Sequence, residues 1–196
     1  MKKIISSLIL GITAFSCLLS AEHFTLNLSG NFLIPSNRYL REGHQRAMIN
    51  PEFKLSYRFS NGLNLWGGYG FVTFGHYNRD PYFPYDEKPT GRHMEHIVSI
   101  GIGYRYKFYK TISYVIDIGL CGLNSQEVVV NGEKRYILGF RVDGSLVSFA
   151  GKNFYTGFLL GYLNSFGPVF KDDYRNENYG YRFGGLKFGV IMGIML

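Results

Sequence analysis

Residues Ser99–Leu120 read SIGIGYRYKFYKTISYVIDIGL. On the left, Val98, Ile100, Ile102, Tyr104, Tyr106 and Phe108 take every second position, with Ser99, Gly101, Gly103, Arg105 and Lys107 between them. On the right, Ile112, Tyr114, Ile116, Ile118 and Leu120 alternate with Ser113, Val115, Asp117, Gly119 and Cys121. A period of two sends successive side chains to opposite faces of a strand. Tyr109-Lys110-Thr111 then reads as a hairpin turn. One face is apolar throughout; the other is small, polar or charged. Two environments give that pattern: a soluble sandwich with its apolar face inside, or a membrane barrel with its apolar face outside.

Composition leans toward the second. The chain has 196 residues, one domain by length, with 17% aromatic and only 18% charged residues. A soluble domain carries nearer a quarter charged. The formal charge is +7, but the Lys and Arg residues are scattered without a stripe or run, which argues against nucleic acid as a partner. A surface rich in anionic lipid suits that charge better.

The first residues read as an export signal. Lys2 and Lys3 form a positive n-region, the next sixteen residues are mostly apolar, and Ser20-Ala21 follow. Residues 1–21 are expected to be a cleaved secretory signal peptide, with Ser20 as an alternative cleavage point and residues 22–196 as the mature domain. Ala14-Phe15-Ser16-Cys17 loosely resembles a lipoprotein cleavage box, with Ala and Phe where Leu and a small residue are usual. Cys121 is the one cysteine left after cleavage, so no internal disulfide is expected, and it reads as a small packing residue. No later run is long and apolar enough for a spanning helix. A membrane location therefore requires a closed barrel, because open sheet edges cannot be left unpaired in lipid.

Eight strands are expected, near residues 23–33, 47–59, 63–74, the two arms of the opening hairpin, 135–149, 153–165 and 185–196. No Asp, Glu, Lys or Arg falls on the apolar parity of their cores. Glu52, Lys54, Arg58, Arg105, Lys107, Asp117, Arg141, Asp143 and Lys187 fall on the other. A basic side chain facing lipid at mid-depth costs about 2–4 kcal/mol, so charges should avoid that face. Connections alternate between tight turns (Ser60-Asn61-Gly62, Tyr109-Lys110-Thr111, Ala150-Gly151-Lys152) and long loops. This asymmetry, with both termini at the turn end, describes an outer-membrane barrel with turns in the periplasm and loops outside.

On these features, over about residues 23–196, the chain resembles the small eight-stranded outer-membrane β-barrels of the OmpA-transmembrane, OmpX and OmpW type. The resemblance implies an all-β, antiparallel up-and-down transmembrane barrel in the bacterial outer membrane. Its last strand, LKFGVIMGIML, resembles the C-terminal signal read by the barrel-assembly machinery, but ends in Leu196 where Phe is usual.

A lumen of eight strands is just wide enough for side chains to fill. The nine ionisable groups should pair there, and a register of the fifth and sixth strands centred near Val128–Val129 would bring Asp117 close to Arg141. The bland reading is a salt-bridged plug; the sharper one is a narrow gated channel. Trp66, Val72, Leu159, Leu163 and Ile191 form a possible hydrophobic lining, either core packing or a small pocket for an apolar ligand. His93, Glu95 and His96 cluster at the start of strand four, but the His-x-Ser pattern of the outer-membrane lipid A deacylases is absent. No enzymatic activity, cofactor or metal is expected. Tyrosine-rich loops suit contact with a surface ligand, and outer-membrane lipids with lipopolysaccharide complete the expected partners.

Overall fold

The computed structural model describes residues 23–36, 47–76, 91–127, 135–171 and 180–196. The signal segment, Cys17 and the tips of the long connections lie outside the described residues. The strands are β1 (His23–Pro35), β2 (Met48–Arg58), β3 (Leu63–His76), β4 (Gly91–Lys107), β5 (Ile112–Glu127), β6 (Arg135–Ala150), β7 (Phe154–Lys171) and β8 (Gly180–Met195). They form one closed barrel in which every neighbour is antiparallel and β8 returns to pair with β1.

The register fixes the shape of the cylinder. Crossing from Thr25 through Ser56, Trp66, Gly101, Gly119, Arg141, Leu163 and Gly185 brings the path back to β1 at Pro35. The shift between start and return is ten residues along β1. With ordinary strand rise and spacing, that stagger tilts the strands by about 40°. An apolar band about 25 Å tall then needs about ten residues of each strand.

Polarity is inside out. Ile100 is 70% exposed and Ile118 54%, whereas Asp117 is 1% and Arg141 5% exposed. The soluble sandwich is thereby excluded. Aromatic rings collect at both rims. Phe24, Tyr57 and Phe59 stack edge to face at 5.2 and 5.0 Å on the turn side, and Phe140 and Phe166 stack at 5.8 Å on the loop side. Such girdles sit at the two membrane-water boundaries.

The tight turns occur where the sequence puts them. Gly62 and Gly151 adopt φ of +89° and +86° there, a backbone conformation that favours glycine. The loop-side strand ends differ from expectation. β4 begins at Gly91, β5 runs to Glu127, β7 to Lys171, and β8 begins at Gly180, so stretches read as loop are strand. Pairs such as Gly75↔Arg92 and His93↔Glu127 extend the ladder where apolar alternation has already stopped. Backbone hydrogen bonds hold these extensions, and above the lipid neither face must be apolar.

The band generates a depth-dependent expectation. Ile118 faces outward between Ile102 and Val142, at mid-depth. Ile118→Arg is expected to lower folding stability in lipid vesicles by about 2–4 kcal/mol. Ser148→Arg, at the turn-side end of β6, is expected to lower it by about 0–1 kcal/mol. Equilibrium urea unfolding of the two variants reads the difference.

Candidate functional site

The lumen is stacked in three layers. Leu33, Met48, Val72, Ile97, Cys121, Leu123, Leu163 and Phe183 form a buried apolar plug at the loop side. Val115, Val147, Tyr155, Leu159 and Ile191 form a second apolar cluster toward the turns. Between them lies a layer of ions drawn from the middles of β2, β5, β6 and β8.

Six charges share that layer. Arg141 spans the lumen, its Nη2 2.9 Å from Glu52 Oε2 on β2, while its Nε donates to Asp143 Oδ2 at 3.0 Å and its Nη1 to Ser99 Oγ at 3.3 Å. Lys187 Nζ lies 3.1 and 3.0 Å from the two Glu52 oxygens and 3.0 Å from Asp143 Oδ1. Lys54 pairs with Asp117, whose other oxygen accepts from Asn64 Nδ2 at 3.4 Å. Three acids face three bases, so the layer is neutral. Burial of unpaired ions would be prohibitive, and each of the six has an opposite charge in contact.

Trp66 organises the layer. Its Nε1 donates to the Ile102 carbonyl at 3.1 Å, so its ring lies flat along the inner wall. Trp66, Gly101, Gly119 and Arg141 are successive partners across β3 to β6. A Cβ on Gly101 or Gly119 would sit 2.5 or 2.6 Å from the indole. The two glycines therefore make the trough in which the ring rests. Lys54 Nζ and the Arg141 guanidinium lie 5.7 and 5.2 Å from the ring centroid, in cation–π range.

Several expectations are corrected by this geometry. Asp117 stands opposite Asp143, and Gly119 opposite Arg141, so Asp117 pairs with Lys54 rather than with Arg141. Lys107, at the end of β4, is exposed and outside the layer. Arg58 and Arg105 are half-buried below it, both donating to Met195 Sδ at 3.7 Å. The apolar lining is divided: Val72 and Leu163 belong to the upper plug, Leu159 and Ile191 to the lower cluster, and Trp66 to the ion layer between. These side chains fill the space by packing on one another instead of enclosing one pocket. Glu95 is buried inside, whereas His96 faces outward and shares a 2.7 Å hydrogen bond with Tyr69. Alternation thus separates the two, and the side chain of His93 lies outside the described residues.

Sequence reasoning missed the neutral polar groups that finish the interior. Asn27 accepts from the Tyr155 hydroxyl, and Asn31 donates to the Asn50 carbonyl at 3.1 Å. Their inward parity was visible, but no pattern distinguishes them from other small polar residues on that face.

Comparisons with known proteins reach the fold and stop there. No family model and no curated protein matches the sequence. Among solved structures, Neisserial surface protein A matches with a TM-score of 0.58 at 10% identity, over 88% of this chain and 96% of that one. The attachment invasion locus protein Ail of Yersinia pestis, in complex with the heparin analogue sucrose octasulfate, matches with a TM-score of 0.52 at 11% identity, over 89% and 97%. The N-terminal β-barrel domain of Pseudomonas aeruginosa OprF matches with a TM-score of 0.52 at 10% identity, over 88% and 97%. The chain has the fold of these small eight-stranded outer-membrane barrels.

The ion layer sets a stability contrast. Arg141→Met leaves Glu52 and Asp143 with Lys187 as the shared cation. It is expected to cost about 3–5 kcal/mol, the penalty for breaking a buried pair from one side. Lys107→Met, outside the layer, is expected to stay within about 0.5 kcal/mol of the parent. Refolding midpoints in detergent or vesicles measure both.

Proposed function

We propose that this chain is an integral protein of the bacterial outer membrane, exported with a cleaved leader at residues 1–21, with a structural or surface-interacting role. The observation that carries the reading is the inverted polarity: a continuous apolar exterior around a packed, ion-paired interior. No helix among the described residues is long and apolar enough to cross a membrane; the outward apolar residues of the strands would face the lipid, and the closed sheet leaves no edge unpaired there.

The filled lumen favours a surface role over a conduit or a carrier of small hydrophobic ligands. Solute would have to displace the upper plug, in which Leu33, Met48, Val72 and Phe183 are fully buried. The separation of Glu95 from His96 across the barrel wall supports a non-enzymatic reading, because a base and its partner must share one face. The partners would be outer-membrane lipids and lipopolysaccharide around the barrel, the assembly machinery at β8 during insertion, and a surface ligand at the loops. The Tyr-bearing connections at 77–90 and 172–179, outside the described residues, would carry that last contact.

An outer-membrane fraction run on a gel with and without boiling tests the core of the reading. Folded barrel is expected to migrate differently before boiling; unchanged migration in a soluble extract would overturn it. Trimming residues 77–90 and 172–179 is expected to preserve the heat shift while removing surface adhesion. Steady unit conductance in planar bilayers, altered by Arg141→Ala, would instead assign a channel.

A further inference from the structure

On the outer wall, near the loop-side rim, lies a groove of about 590 Å³. Its floor is Gly122 on β5, paired with Val98 of β4 on one side and Leu138 of β6 on the other. A Cβ at Gly122 would meet no heavy atom nearer than 4.0 Å, so the missing side chain leaves open space between two exposed neighbours. Two residues closer to the loops stands Asn124, flanked by His96 and Tyr136. Depth sets what these groups meet. Gly122 lies four residues and Asn124 six beyond Ile118, the mid-depth residue of β5. At about 3.3 Å per residue and a tilt of about 40°, they stand about 10 and 15 Å above mid-depth. The apolar band reaches about 12 Å on that side. Gly122 is therefore at the height of acyl chains, and Asn124 at the height where chains join their headgroups.

Two donors wait at that height. Asn124 Oδ1 is buried and unpaired, whereas its Nδ2 is accessible and makes no hydrogen bond among the described residues. With the Tyr69 hydroxyl donating to His96 Nδ1 across 2.7 Å, the neutral ring carries its proton on Nε2, which has no partner among the described residues. Donors at the edge of hydrocarbon gain most from an acceptor brought by a lipid. Tyr69 and Tyr136 flank the same point, and aromatic faces with a hydroxyl edge suit a sugar headgroup. None of the residues lining the groove is acidic, so nothing in it repels an anionic lipid. Resting on the outer-membrane reading, in which the long loops turn this rim toward the lipopolysaccharide leaflet, we propose that the groove holds one acyl chain of lipopolysaccharide. The chain lies over Gly122 between Val98 and Leu138, and its linkage carbonyl accepts from Asn124 Nδ2 and His96 Nε2.

The test uses the full folded chain in non-ionic detergent, with rough lipopolysaccharide as the probe, phosphatidylethanolamine as the competitor and native mass spectrometry as the readout. One bound lipopolysaccharide is expected to saturate and to persist against an equal concentration of phosphatidylethanolamine. Gly122→Leu, which fills the groove without crowding the wall, is expected to lower the apparent affinity at least about tenfold, because the acyl chain loses its packing there. Asn124→Leu removes one hydrogen bond and is expected to lower it about three- to tenfold. Gly30→Leu, at an outward glycine of β1 with open space around it, is expected to leave it unchanged. Each variant counts only if it keeps the heat-dependent gel shift; if one loses it, the other decides. A folded parent that takes up no lipopolysaccharide, or holds phosphatidylethanolamine equally well, would overturn the site and leave the outer-membrane reading standing. Binding that both groove variants leave intact would overturn it too, as would a dimer of the parent that Gly122→Leu dissociates, since a second copy would then cover the groove. A parent without the heat shift would overturn the outer-membrane reading, and the site with it.

Discussion

Closure of the sheet is the constraint from which the rest follows. In lipid an unpaired strand edge exposes a row of backbone N–H and C=O groups with no water to satisfy them. β1 therefore must meet β8, and it does so over Thr25↔Met195 to Pro35↔Gly185. The ten-residue shift around the cylinder is even, so a residue that faces inward on one strand is joined only to inward residues on every other. One uninterrupted apolar exterior and one separate interior, ionic at its middle and apolar above and below, are possible for that reason. An odd shift would have placed a seam of mixed parity somewhere in the wall.

The same closure limits the lumen's width, and limited width explains its contents. Large side chains fit only where the opposite wall gives way. Trp66 lies on Gly101 and Gly119, and a Cβ on Gly193 would meet the Tyr155 ring at 2.2 Å. The six charges of the middle layer fit as a neutral set, because water cannot enter there in quantity to screen them. Glu52 thus satisfies Arg141 from the far side of the barrel, and Lys187 is shared between Glu52 and Asp143. The apolar plug above and the cluster below cover this layer on both sides. Covering strengthens each ion pair electrostatically and raises the cost of leaving any one of them unmatched.

What the sequence made legible was parity, and parity carried the fold. Alternation along Ser99–Leu120 placed Asp117 inside and Ile118 outside without reference to any other strand. Register was less legible, for a physical reason. A slip of two residues keeps every side chain on its face, so the β5–β6 pairing could be displaced from Asp117↔Arg141 to Asp117↔Asp143 with no sign in the pattern. Contacts across the lumen were less legible still. Glu52 and Arg141 lie 89 positions apart, and their meeting depends on tilt and side-chain length rather than on any local motif. The strand ends beyond the lipid were read as loop because alternation is a signature of one-sided lipid contact, and at Arg92 or Glu127 that contact has ended.

A filled lumen also redistributes where function can reside. With the interior given over to packing, the surfaces left for recognition are the loop tips, the aromatic rims and the turn-side mouth. These differ in character. The loop-side rim presents polar groups such as His96 and Tyr69 on the outer wall, joined to one another. The turn-side mouth presents paired guanidiniums inside the wall, held by aromatic faces and a thioether. A charge held at that mouth lies on the far side of two packed layers from the loops. Recognition at one end can therefore proceed without disturbing the electrostatics of the other, because the neutral ion layer between them presents little net field to either.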